Sequence, residues 1–112
     1  MTFEECVKLL PIELKTLGYK MSYRKGYNNI TNFHLDNDCQ DCLIRIVNPP
    51  RKHEKCICFA EQIHATDWHR YFYSDFSDEV YKKVMTAARN LVAQYKKYNI
   101  ELKIDELSKD FV

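Results

Sequence analysis

The stretch Tyr19-Lys20-Met21-Ser22-Tyr23-Arg24-Lys25-Gly26-Tyr27-Asn28-Asn29-Ile30-Thr31-Asn32-Phe33-His34-Leu35 decides the fold. Tyr19, Met21 and Tyr23 alternate with Lys20, Ser22 and Arg24. A period of two is the mark of a strand with one face buried. Gly26-Tyr27-Asn28 reads as a turn, because glycine and asparagine tolerate the backbone angles a reversal needs. Thr31, Phe33 and Leu35 resume the alternation, and Ile30, on the wrong parity, implies a bulge. Two such runs around one turn predict an antiparallel hairpin.

Downstream, residues 36–41 form a polar loop, and residues 43–47 form an apolar strand broken only by Arg45. Pro49 and Pro50 cannot continue a ladder, so residues 48–54 are a loop. Residues 55–63 supply a fourth strand, which completes a four-stranded antiparallel meander. Residues 64–76 have no clear period, although a short strand over residues 71–73 fits. Upstream, Thr2 and Glu5 have the spacing of a capping box. Phe3, Val7, Leu10, Leu14 and Leu17 then mark one face of a helix, which Gly18 stops with Tyr19 as the Schellman contact. Pro11 predicts a kink or a division of that helix. Beyond the meander, Ser77 caps a long helix whose buried stripe is Val80, Val84, Ala87, Leu91 and Tyr95. Ile100, Leu102 and Ile104 alternate, which predicts an edge strand within a short tail. An apolar sheet face needs a cover, and two amphipathic helices supply it. The expected fold is a single α+β domain over residues 1–112, a two-layer sandwich.

A chain of 112 residues can bury a core without disulfide or metal staples. A net charge of +1 selects no partner by bulk electrostatics. No run reaches the roughly 18 apolar residues of a membrane span, so no membrane partner is expected. Glu4 and Glu5 stand where a signal peptide carries basic residues. Five cysteines is an odd number, which favours reduced thiols and a cytoplasmic location.

Four of the five lie close together, as Cys39-Gln40-Asp41-Cys42 and Cys56-Ile57-Cys58. Zinc prefers cysteine pairs on tight turns, with two sulfurs reaching one ion. Cys56 and Cys58 fall inside a strand, where their α-carbons are about 6.6 Å apart at a rise of about 3.3 Å per residue. If the hairpin centres near Arg51, Cys58 lies opposite Ile44. The plainer reading is therefore a set of buried thiols and no cofactor. Zinc held by Cys39, Cys42, Cys56 and Cys58 is the alternative. The CxxC precedes a strand instead of opening a helix, which argues against thioredoxin-type chemistry.

No glycine-rich phosphate loop, HExxH or GxSxG is present, and the chain is not expected to be an enzyme. Two surfaces carry the functional expectations. Trp68, Arg70, Tyr71, Tyr73 and Phe76 belong to an aromatic run too dense for one strand face. Aromatics and arginine are the residues that anchor protein interfaces. Lys82, Lys83, Arg89, Lys96 and Lys97 give the long helix a basic outer face, to which Arg51 and Lys52 add from a loop. Such a face suits nucleic-acid phosphates. Lys82-Lys83, Ala87-Ala88 and Leu91-Val92 resemble the last helix of double-stranded-RNA-binding domains, although Asp78 and Glu79 stand where that family carries lysine. The first expectation is a small protein-binding module, an adaptor, chaperone or inhibitor. Nucleic-acid binding is the second.

Overall fold

The computed structural model describes residues 1–26, 28–35, 42–64 and 67–110, with side chains as far as residue 107. Helix α1 (Phe3–Thr16) leads into five strands: β1 (Lys20–Arg24), β2 (Ile30–His34), β3 (Ile44–Val47), β4 (Cys56–Phe59) and β5 (His69–Phe72). Short 3₁₀ turns, Lys52–Glu54 and Tyr73–Asp75, precede β4 and follow β5. Helix α2 (Asp78–Asp110) ends the chain. The strands lie in sequence order in one sheet, and every neighbouring pair is antiparallel. The α+β meander with a helix at each end is therefore present, with five strands where the sequence predicts four. The additional strand falls one or two residues before the expected one.

Local chemistry accounts for the helix ends. Thr2 Oγ1 accepts the Glu5 amide at 3.1 Å and so satisfies one orphan donor of α1. At the other end, Tyr19 donates its N–H to the Leu14 carbonyl and Gly18 donates to Lys15, each at 3.0 Å. That is the Schellman pair, and Gly18 makes it possible by adopting φ +97°. Helix α1 runs unbroken through Pro11, contrary to the expected division. Phe3, Cys6, Leu10 and Leu14 lie on both sides of the proline and are buried in one core, which holds the two halves together.

One face of the sheet supplies that core. Phe33, Ile44, Ile46, Ile57 and Phe59 pack against the buried stripes of α1 and α2. Two polar contacts tie the layers together. Tyr19 Oη donates to the Ala88 carbonyl at 2.9 Å, and Tyr81 Oη donates to the Glu13 carboxylate. Met21 and Tyr23 share the core face but are 58% and 57% exposed on β1, the edge strand of the sheet. The bulge predicted at Ile30 does not occur. Ile30 pairs regularly with Arg24 and Val47 and faces the other side of the sheet.

Helix α2 also continues past its expected end. Ile100, Leu102 and Ile104 are helical, and all three are exposed. Three alternating residues carry little pattern, and neither glycine nor proline interrupts the run. At about 1.5 Å per residue its 33 residues span about 50 Å, which accounts for most of the 58 Å long axis of the molecule. Leu91 is the last fully buried residue of α2, so the helix leaves the core well before its end. Among the described residues no helix is long and apolar enough to cross a membrane.

Candidate functional site

Among the described residues the second face of the sheet carries no helix, and strand periodicity dictates what it displays. One row crosses it through Ser22, Asn32, Arg45, Cys58 and Arg70. The next row runs through Arg24, Ile30, Val47, Cys56 and Phe72. Lys20 and His34 complete the positions that share this parity. None of these strand positions is an aspartate or glutamate. A chain of net charge +1 thus concentrates Lys20, Arg24, Arg45 and Arg70 on one side of its sheet, and all four are exposed.

The row is organised by hydrogen bonds. Arg45 Nε donates to Asn32 Oδ1 at 2.8 Å. The Cys42 thiol lies 3.2 Å from both Asn32 Oδ1 and the Ile44 carbonyl, so it approaches the same asparagine. The Arg45 guanidinium lies 6.0 Å from the Trp68 ring centre, within cation–π range. Trp68 and Phe72 are 37% and 42% exposed. Exposed aromatic and guanidinium groups together make an adhesive surface.

Beneath them lie two thiols. Cys56 and Cys58 are buried, yet neither belongs to the helix-covered core. Their sulfurs are 3.9 Å apart. The side chains therefore lean together, although their α-carbons are two strand positions apart. The register is also one residue from the expected one, with Cys58 opposite Arg45 while Ile44 faces Phe59. This shift moves Cys58 from the core face to the uncovered face. Cys58 has Arg45 and Arg70 as its cross-strand neighbours, whereas Cys56 has Val47 and Phe72. The hydrogen bond with Cys56, and then Arg70, hold the Cys58 thiol below its ordinary range. The same bond raises Cys56, and burial adds to the rise. Cys42 is raised by burial, against the pull of Arg45. Cys39 lies outside the described residues. Among the described residues no three His, Cys, Asp or Glu side chains are placed to hold a metal.

The aromatic run divides three ways. Trp68 and Arg70 reach the uncovered face. Tyr71 stacks on Phe59 with ring centres 6.0 Å apart, on the helix side. Tyr73 and Phe76 pack on Phe3, at 5.7 and 5.9 Å, and are half-buried. The five residues expected to form one anchor are not brought together. Phe72, a member of the same aromatic run, joins Trp68 and Arg70 there, as do Arg45 and Asn32, which sequence reasoning passed over. The available signal was Arg45 itself, the one charge in an apolar strand, which marks the parity of the exposed side.

The basic positions of α2 do stay exposed, at Lys82, Lys83, Arg89, Lys96 and Lys97. Lys82 and Lys83 also border a groove of about 700 Å³ between α2 and the β4–β5 side of the sheet. There Lys83 Nζ lies 5.7 Å from the Tyr71 ring centre and His69 Nε2 lies 3.1 Å from Glu61. Arg51 and Lys52 are elsewhere, at the 3₁₀ turns. Arg51 pairs with Glu54 at 3.3 Å, and Lys52 lies 5.9 Å from the Tyr73 ring. No family model matches this chain, and comparison with curated proteins and with solved structures likewise finds no match.

Proposed function

We propose that the chain is a non-catalytic protein-binding module, an adaptor, chaperone or inhibitor. Its uncovered sheet face receives an acidic segment of a partner. One observation carries this reading: Arg45 and Arg70 stand exposed beside Trp68 and Phe72, on a face with no carboxylate at any strand position. Arginine pairs with carboxylates through two parallel N–H bonds, and the adjacent rings supply apolar area at low entropic cost. The free thiols Cys6, Cys42, Cys56 and Cys58 fit a reducing compartment such as the cytoplasm.

The test is affinity capture from the native host's extract with tagged chain. Wild-type protein is expected to retain a partner that the Arg45→Glu, Arg70→Glu double variant loses. Equal retention by the two proteins overturns the reading. The second reading, a nucleic-acid-binding module, is favoured by the exposed cations of α2. It predicts heparin retention that falls when Lys82 and Lys83 become glutamate, and an affinity that drops steeply with salt. Retention unchanged by those substitutions removes it.

A further inference from the structure

The thiol pair is more than packing. We propose that Cys56 and Cys58 form a reversible dithiol–disulfide site, with Cys58 the thiol that reacts with a hydroperoxide and Cys56 the thiol that resolves the product. Three observations assign the roles. The sulfurs are already in contact at 3.9 Å. Cys58 is flanked across both neighbouring strands by arginines, which favour a thiolate, whereas Cys56 is flanked by Val47 and Phe72, which do not. The pair also lies outside the helix-covered core, beneath Arg45 and Arg70, which are themselves exposed. The shift of Cys58 below its ordinary range agrees with this assignment.

The chemistry balances. The Cys58 thiolate attacks the distal oxygen of the hydroperoxide and the O–O bond breaks. The leaving oxygen takes a proton to become water or alcohol, and Cys58 becomes a sulfenic acid. The Cys56 sulfur then attacks the Cys58 sulfur. The S–O bond breaks, the Cys56 proton leaves with the hydroxyl as water, and a disulfide remains. Two electrons pass from the thiols to the peroxide. Two strand positions span about 6.6 Å between α-carbons. That is near the upper end of the roughly 4.4–6.8 Å that a disulfide tolerates, so the product is readily reduced.

The experiment uses hydrogen peroxide at low molar excess on the full chain, followed by intact mass measurement and peptide mapping. The expected result is loss of two hydrogens, a link between Cys56 and Cys58, and reversal by dithiothreitol. Cys56→Ser is expected to leave a sulfenic acid at Cys58 that dimedone traps, with circular dichroism showing the fold retained. Arg70→Gln is expected to move the pH midpoint of the first step upward, as for a thiolate that has lost a cationic neighbour. A link from Cys58 to Cys42 or Cys39 overturns the proposal. So does oxidation of Cys58 no faster than that of core Cys6, or a link that forms only in denaturant. None of these readouts involves a partner, so the binding role and the thiol role stand or fall separately.

Discussion

Tyr19 joins two structural jobs in one residue. Its N–H closes the Schellman turn of α1, and its hydroxyl reaches the Ala88 carbonyl of α2 at 2.9 Å. Replacing it with phenylalanine keeps the ring and removes the second bond that the Ala88 carbonyl accepts, beside the one it accepts within α2. Tyr19→Phe is expected to cost about 0.5–1.5 kcal/mol, read from the midpoint of urea unfolding. Gly18 is a cleaner probe of backbone strain. An added Cβ would meet open space, so the φ of +97° alone sets the penalty. Gly18→Ala is expected to cost about 1–2 kcal/mol in the same measurement. An unchanged midpoint would show that the turn is not held in this conformation. The Schellman turn was legible in the sequence, because a glycine and an aromatic residue follow a helical stripe, whereas the hydroxyl bond to Ala88 was not. The role of Arg45 was not, since its meaning depends on a register that only pairing fixes.

At the level of elements, the two helices differ in how they are held. Helix α1 presents a stripe that is buried along most of its length, and Leu10 is completely enclosed. Leu10→Ala is expected to cost about 2–5 kcal/mol by the same denaturation, because packed helices cannot collapse fully onto the cavity. Helix α2 is anchored as far as Gln94, which bonds the Ile63 amide and the Glu61 carbonyl, and Tyr98, whose ring meets His64, while its described side chains from residue 101 to 107 are all exposed. Deleting residues 101–112 is expected to move the unfolding free energy by less than about 0.5 kcal/mol while lowering the helical circular dichroism signal. A large loss of stability would mean that the end of α2 packs on the core. Strand β5 and the end of α2 are where sequence periodicity misled. Strand β5 has exposed residues on both sides of the alternation, and the three apolar residues after position 99 alternate by chance inside a helix. Strong, one-sided patterns such as those of α1 and the first half of α2 were read correctly.

For the whole molecule, the consequence of a five-stranded sheet covered on one side is a division of chemistry. The covered side takes most of the aliphatic residues and the buried phenols, and the open side takes the arginines and a thiol pair. Burial of the first set shapes the alkaline limit of stability. Burial pushes the Cys6 thiol from 9.0 up to about 12. Tyr19 is raised above 10.0 by burial, and Tyr81 by burial and then its bond to Glu13. As pH rises past these ordinary values, the unfolded chain releases protons that the folded chain keeps. With fewer protons on the unfolded state, stability falls as pH rises. The thermal midpoint is therefore expected to decline steadily above about pH 9, with the decline reduced in Cys6→Ala and Tyr81→Phe once their own baseline changes are subtracted. An undiminished midpoint at high pH would mean that these groups are open to water.

The open side is what sets this chain apart from a generic small sandwich, and an amide NMR titration with an oligoglutamate peptide addresses it. The largest shifts are expected along β3 and β5, at Arg45, Cys58 and Arg70, together with the Trp68 indole. Shifts concentrated on Lys82, Lys83 and Arg89 of α2, with the open face of the sheet unmoved, would contradict the assignment of that face as the binding surface.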